Sequence, residues 1–439
     1  MTKKKNEKSW EYYTDKPIST IEEDKLDRFN FSKLLGDTII NLPKSKNSLS
    51  IGLMGGWGYG KTSILNMFAK YIENEDSDSI ILWFNPWFYS NYSDLILIFF
   101  NELIAKLKEV NSDNELISFL NEYKRKIAKY FLYGLSDVIG LVPGLNSSLL
   151  RKIGDDIDSK MSIDETLLEL KGKISKKMQN LDKKLIIIMD DIDRLSKDEI
   201  FQIFQLIKVV YDFPQVVYIL SFDKEHVINA IMTKENNDKE ASERYLEKII
   251  QIPLEIPKIS NFNIKTIFIE QVNLILESQN LSIDYSLSDL FDYIKFFFKN
   301  LRDINRYCNS LNFYLTILKD NVYIPDFILL HSLQVFSPKE YNFIKDNKDF
   351  FIGNPFLDDL DDEIYNKEHE EGYFEKFKDS TLPHIKEILR FLFPKLCNTK
   401  KVWDDLRLDI ANRRLYTSEC FDSYFELSLS DNVMSKEDL

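Results

Sequence analysis

Cysteine is scarce in this chain: Cys308, Cys397 and Cys420 are the only three in 439 residues, and none has paired spacing. That excludes a disulfide framework and a zinc cluster, and it suits a reducing cytoplasm. The histidines (His226, His331, His369 and His384) also lack metal-ligand spacing, so packed or solvated roles are expected for them. Basic charge is in deficit, with 57 Lys and Arg against 71 Asp and Glu, a net −14. A surface that grips nucleic acid or anionic lipid as a whole is thereby disfavoured. The basic run Lys3, Lys4, Lys5 and Lys8 reads as a solvated tail, and the 22 Tyr and 32 Phe lack the interleaved basic residues of a nucleic-acid platform. No long apolar stretch follows the first lysines, so no secretory signal is expected. The most apolar window outside the predicted strands, residues 130–150, carries Asp137, Pro143 and Asn146. It falls short of the roughly 20 predominantly apolar residues that a spanning helix needs. A buried or interfacial helical insertion is expected there, with membrane contact the lesser alternative.

What the chain does contain is a phosphate-binding pattern. Gly55 to Thr62 read GGWGYGKT, which satisfies G-x-x-x-x-G-K-[ST] directly after the apolar run SLSIGLM. Glycines 55, 56, 58 and 60 allow backbone dihedrals closed to other residues, so that successive N–H groups, those of Trp57 and Tyr59 included, can face one concavity. Lys61 adds a point charge, the Thr62 hydroxyl can ligate Mg²⁺, and Ser63 follows at the helix start. Ile64, Leu65, Phe68 and Ile72 recur at helical spacing, so the loop opens a helix whose positive dipole end faces the anion.

A second strand ends in carboxylates. Leu185 to Met189 form a continuous apolar run of the kind buried on both faces of a parallel sheet, and Asp190 and Asp191 follow it. In a Walker B arrangement Asp190 holds the Mg²⁺ shell and Asp191 polarises the attacking water. Ser196 and Glu199 form a capping box that opens the next helix. The run QVVYILSF, residues 215–222, is a further strand, with Ser221 and Asp223 at its end as candidate contacts to the γ-phosphate or the lytic water. SIILWF, residues 79–84, supplies one more. Strands alternate with helices, which predicts a doubly wound parallel sheet in which a strand lies between the loop strand and the acidic one. Trp83 and Trp87 are expected to pack the FNPW turn against the core.

The segments FNPWFYS (residues 84–90) and MDDIDRLSKDEIFQIFQLIKVVYDFPQVVYILSFDKEHV (189–227) resemble the KAP family of P-loop NTPases. RYLEKIIQIPLEIP (244–257), the N-terminal DKPI (15–18) and a D-x-L-x-R-like stretch at Asp24, Leu26 and Arg28 add to the resemblance, which spans roughly residues 15–320. It implies an α/β additional-strand ATPase core with a mostly helical C-terminal lid and tail, and adenine preferred over guanine; no N-K-x-D motif is present. Many relatives carry membrane helices between loop and Walker B, which this chain does not match. Bacterial members are often linked to phage exclusion and defence.

Four sequence regions follow: a linker at 1–45 contributing to the nucleotide pocket, the NTPase core at 46–258 with a helical insertion near 111–163, a helical lid at 259–330, and a helical region at 331–439. An arginine is expected to complete the site. Arg244 suits a finger contributed between protomers, and Arg194 is a further candidate. Arg302, in the sensor-2-like NLRDINRYCNSLNFYL, suits a γ-phosphate contact. The acidic stretch 356–377 reads as an exposed linker. The leading expectation is a cytoplasmic Mg²⁺-dependent ATPase that forms a homo-oligomer and acts with an effector protein. A nucleotide-binding scaffold with little turnover, a nucleic-acid-stimulated ATPase and a small-molecule kinase are the alternatives.

Overall fold

The computed structural model describes residues 12–43, 45–90, 95–110, 112–132, 163–181, 183–210, 213–233, 238–352, 383–396 and 406–425. The window 130–150 and the acidic stretch 356–377 therefore lie largely or wholly outside the described residues. The chain forms two compact units. One runs Pro17–Lys258; the other joins residues up to Lys16 with those from Ile259 onward.

The first unit is built on five parallel strands: β1 (Leu49–Met54), β2 (Ile80–Phe84), β3 (Leu185–Met189), β4 (Val216–Phe222) and β5 (Ile252–Glu255). Their order is β2-β3-β4-β1-β5, so β4 lies between the loop strand β1 and the acidic strand β3. Around them run α1 (Phe29–Ile40), α2 (Lys61–Glu75), α3 (Leu95–Glu109), α4 (Asn114–Leu132), α5 (Ile163–Gln179), α6 (Lys197–Val210), α7 (Lys224–Met232) and α8 (Lys239–Glu247).

The period-two geometry of a strand sends alternate side chains to opposite faces. Leu185, Ile187 and Met189 accordingly join one core with α3 to α7, while Ile186 and Ile188 join another with α1 and α2. Every residue of β3 and β4 is buried, which is why both read as near-continuous apolar runs. The insertion between β2 and β3 is helical where it is described, and Tyr123, Ile127, Ile174 and Met178 bring it into the first core.

Residues 17–45 belong to this unit. The Asp24 carboxylate gathers the N–H groups of Leu26 (3.1 Å), Arg28 (2.6 Å) and Phe29 (2.8 Å), so it starts α1 although it precedes the helix by several residues. At the other end of α1, Lys184 donates to the carbonyls of Ile39, Ile40 (3.1 Å) and Leu42 (3.2 Å), pinning the helix terminus to the start of β3.

The second unit is helical: α9 (Asn261–Ser278), α10 (Leu287–Ile294), α11 (Leu301–Leu318), α12 (Ile324–Phe336), α13 (Pro338–Asp346) and α14 (Pro383–Leu392). Residues on both sides of position 330 share it. Asp326 on α12 is fully buried and receives Arg414 Nε at 2.9 Å and the Leu415 N–H at 3.0 Å, which fastens the segment from Arg413 onward to that helix. Tyr13 exchanges two hydrogen bonds with the Asn309 side chain, at 2.9 and 2.7 Å, so the chain at Tyr13 rests on α11.

Candidate nucleotide site

The loop between β1 and α2 takes the conformation its glycines permit. Gly58 and Gly60 both have φ of 81°, in the left-handed region that costs other residues energy. Gly55 donates to the Phe222 carbonyl at 3.2 Å, which sets the loop against the end of β4. At Gly56 an added Cβ would meet the Tyr59 ring at 3.1 Å and Asp223 Oδ2 at 3.8 Å. Trp57 projects outward and is 69% exposed.

Lys61 is nearly buried, and its ammonium is held by the Gly55 carbonyl at 2.8 Å, the Gly56 carbonyl at 3.4 Å and Asp193 Oδ2 at 3.0 Å. The last is a salt bridge between side chains 9% and 8% exposed. Asp193 was not among the residues expected at the site; its position two beyond the acidic pair was the available signal.

Thr62 and Asp190 are in direct contact. Thr62 Oγ1 donates to Asp190 Oδ2 at 2.6 Å, and Asp190 Oδ1 is buried with no hydrogen-bond partner. Burial pushes the Asp190 carboxyl above the usual carboxylate range, and the neighbouring Asp191 charge acts the same way; the hydroxyls of Thr62 and Ser221 oppose the shift. Ser221 is itself fully buried, with Oγ outside normal hydrogen-bond geometry. A hydroxyl and a carboxylate with one unpartnered oxygen are the oxygen donors that Mg²⁺ takes when it also binds phosphate and water. Among the described residues no cluster of three His, Cys, Asp or Glu side chains is placed to hold a metal, so a cation here would depend on the nucleotide's own oxygens.

Asp191 has φ of 58°, an uncommon left-handed conformation for a residue with a side chain. Both its oxygens are engaged: Oδ2 accepts from Asn85 Nδ2 at 2.9 Å, and Oδ1 pairs with Arg194 Nε at 2.7 Å. Asn85 comes from FNPWFYS and also accepts from the Trp87 N–H at 3.0 Å. Ser90, at the end of the same segment, donates to Glu199 at 3.1 Å, and Glu199 closes the expected capping box with Ser196 at 2.9 and 3.4 Å. The segment is thus a strap from the end of β2 to the residues that follow β3. Trp83 and Trp87 do not pack this turn into the core: they are 39% and 43% exposed. Trp83 falls on the outward phase of an edge strand, and Trp87 supports the Arg194 guanidinium 4.9 Å from its ring.

Other expected residues are placed as follows. Ser63 Oγ accepts from the Ile18 N–H at 3.3 Å, and Asn66 Nδ2 donates to the Ile18 carbonyl at 3.0 Å, so the end of DKPI rests on α2. Asp223 Oδ1 caps α7 through the His226 N–H at 3.1 Å, with its other oxygen toward Gly56. Arg244 is exposed on α8 and pairs with Glu240 at 3.1 Å. Arg302 lies on α11 in the helical unit, where Nε meets Asp15 Oδ2 at 2.8 Å. Its neighbour Arg306 donates to the Val335 carbonyl at 2.6 Å and lies over Phe336. No described helix is long and apolar enough to cross a membrane.

The Phage T7 exclusion protein of Escherichia coli (strain K12) is 28% identical over 349 residues, 75% of this chain and 47% of that protein, so the chain spans about half the length of the curated relative it matches. Among solved structures, domain III of the replication initiation protein DnaA from Thermotoga maritima is similar at 14% identity and a TM-score of 0.30, over 72% of this chain and 92% of that one. Cdc6p from Pyrobaculum aerophilum is similar at 13% identity and a TM-score of 0.33, over 86% and 82%. Scores this low carry no functional argument. The KAP family P-loop domain matches residues 28–318, which contain the phosphate loop, Asn85, the acidic pair, Ser221 and Asp223. The chain belongs to the KAP family of P-loop NTPases.

Proposed function

We propose that this chain hydrolyses ATP with Mg²⁺, and that its nucleotide state controls homo-oligomeric assembly and an effector protein in bacterial antiphage defence. The observation that carries the hydrolase reading is the contact of Thr62 with Asp190 at 2.6 Å, with Asp191 next in the chain. A metal-binding pair and a second carboxylate stand together beside a phosphate-binding loop. The loop N–H groups and Lys61 would bind the β- and γ-phosphates, and Thr62 and Asp190 would hold Mg²⁺, which when bound neutralises phosphate charge. Asp191 would take a proton from water as the water oxygen bonds to the γ-phosphorus and the bond to the bridging oxygen breaks. Its place one residue beyond Asp190 supports that role.

Steady-state hydrolysis by Lys61→Ala and Asp191→Asn tests this. Both should lose turnover, with Asp191→Asn still binding nucleotide; undiminished hydrolysis in both would sink the assignment. The defence reading draws support from the similarity to the Phage T7 exclusion protein. Particle mass with and without ATP tests the assembly part, and plaque counts on cells carrying wild type or Lys61→Ala test the defence part.

A second reading, a nucleotide-binding oligomeric scaffold with little turnover, is favoured by one observation: both Asp191 oxygens are already engaged. A turnover number indistinguishable from that of Asp191→Asn would select it.

A further inference from the structure

The short turn Ile192–Arg194 carries two consecutive charged side chains, each bound to a principal residue of the site. Asp193 holds Lys61 at 3.0 Å, and Arg194 holds Asp191 at 2.7 Å. We infer that this turn is a latch, in which Asp193 competes with phosphate for the lysine while Arg194 restrains the carboxylate that activates water. The inference rests on the reading of Asp191 as the base.

Three observations support it. First, the Lys61–Asp193 pair is almost wholly shielded from water, at 9% and 8% exposure, so its attraction is little screened. A triphosphate can use the Lys61 ammonium fully only by displacing that carboxylate. Second, Arg194 Nε occupies Asp191 Oδ1 at 2.7 Å, so this oxygen meets water only once the guanidinium has moved away. Asn85, on the other oxygen, is neutral and orients Asp191 from the end of β2.

Third, the two contacts are mechanically joined. The turn is closed by the Arg194 N–H on the Asp191 carbonyl at 3.1 Å and by the Leu195 N–H on the Ile192 carbonyl at 3.3 Å, and Ile192 is buried in the core. With Ile192 as a fixed root, the peptides of residues 193 and 194 move together. Phosphate arriving at Lys61 frees Asp193, and the loosened turn then lets Arg194 leave Asp191. The outer face of the latch is the Trp87 ring, 4.9 Å from the guanidinium and 43% exposed. Arg194 and Asp193 are therefore positioning residues, acting through Asp191 and Lys61.

The experiment separates the two halves by binding and by turnover. Titration with a non-hydrolysable ATP analogue should show Asp193→Asn binding about tenfold tighter than wild type, because the ammonium loses its internal competitor. In steady-state hydrolysis Arg194→Ala should raise kcat about two- to fivefold with KM unchanged, as expected for release of one partly exposed ion pair. Arg194→Lys should fall between the two, since it keeps the charge and loses the stacked fork. The gain must vanish in Arg194→Ala/Asp191→Asn. Unchanged or weaker binding in Asp193→Asn overturns the latch, as does a kcat at or below wild type in Arg194→Ala. Full turnover in Asp191→Asn alone removes the base assignment instead, and the binding result still decides whether Asp193 competes at Lys61.

Discussion

The guanidinium of Arg28 donates to the main-chain carbonyl of Tyr59, in the middle of the phosphate loop, and to the carbonyl of Pro257 at 3.2 Å. Arg28 is 5% exposed and supports the loop from beneath, tying it to the residues that follow β5. A Cβ at Gly60 would meet Arg28 Nη1 at 2.6 Å, so the glycine admits this close approach as well as its positive φ. Arg28→Ala would leave two carbonyls without their donor, at a cost of about 1–3 kcal/mol. We expect a lower melting temperature and an ATP affinity reduced about tenfold, read by thermal unfolding and by nucleotide titration. Arg28→Lys should not restore affinity, because an ammonium lacks the fork that spans both carbonyls.

Asn85 orients Asp191 from the end of β2 through the 2.9 Å contact to Oδ2. Asn85→Ala should lower kcat about tenfold while KM changes less than about twofold, since the lost interaction bears on the reacting water and not on the phosphates. Asn85→Asp would place a like charge against Asp191 and should cost more. Equal loss in KM and kcat would assign Asn85 to binding.

Trp57 stands in the phosphate loop, 69% exposed. Nucleotide entering the loop changes the surroundings of this indole, so ATP should alter the tryptophan emission of the wild type. Trp57→Phe should abolish that change and leave hydrolysis standing. A signal that survives in Trp57→Phe would place the reporter elsewhere, at Trp87 first.

His331 is buried on α12 between the rings of Tyr307, Tyr314 and Phe327, with Nδ1 against Gln334 Oε1 at 2.9 Å. Burial holds its pKa down at about 4 against an ordinary 6.5. Because the folded value is the depressed one, the neutral imidazole stabilises the fold fully above about pH 6.5, and that contribution is lost as pH falls toward 4. Loss of roughly 3 kcal/mol across that window follows from about 1.4 kcal/mol per pH unit. Denaturant unfolding at pH 7.5 and pH 5 should show a smaller pH dependence in His331→Phe than in the wild type. An equal dependence in both would remove His331 from the account.

Sheet elements buried on both faces were the easiest to read, because nothing polar interrupts them. Leu185–Met189 has the bounds expected from its apolar run, and the strand before the loop ends, as read, at Met54. β5 escaped notice. Its four residues, IPLE, are mostly exposed and contain Pro253, which an edge strand tolerates because one side of it needs no partner. The site divides in the same way. Lys61, Thr62 and Asp190 follow from local pattern, whereas Asn85, Asp193 and Arg28 owe their roles to partners distant along the chain, at sequence separations of 106, 132 and 31.

By itself the sequence determined a phosphate-binding loop on a β-α unit, an acidic strand end, and the alternation that makes a parallel α/β sheet. Those follow from glycine dihedrals, helix dipoles and the burial of apolar strands, all of which act over a few residues. Tertiary structure alone decided that Asp191 would have both oxygens engaged and that Lys61 would share its charge with Asp193. The reason is that a salt bridge or a hydrogen bond depends on the distance and shielding of two groups, and those are set only when β2, β3 and the loop strand β1 have been brought side by side through β4.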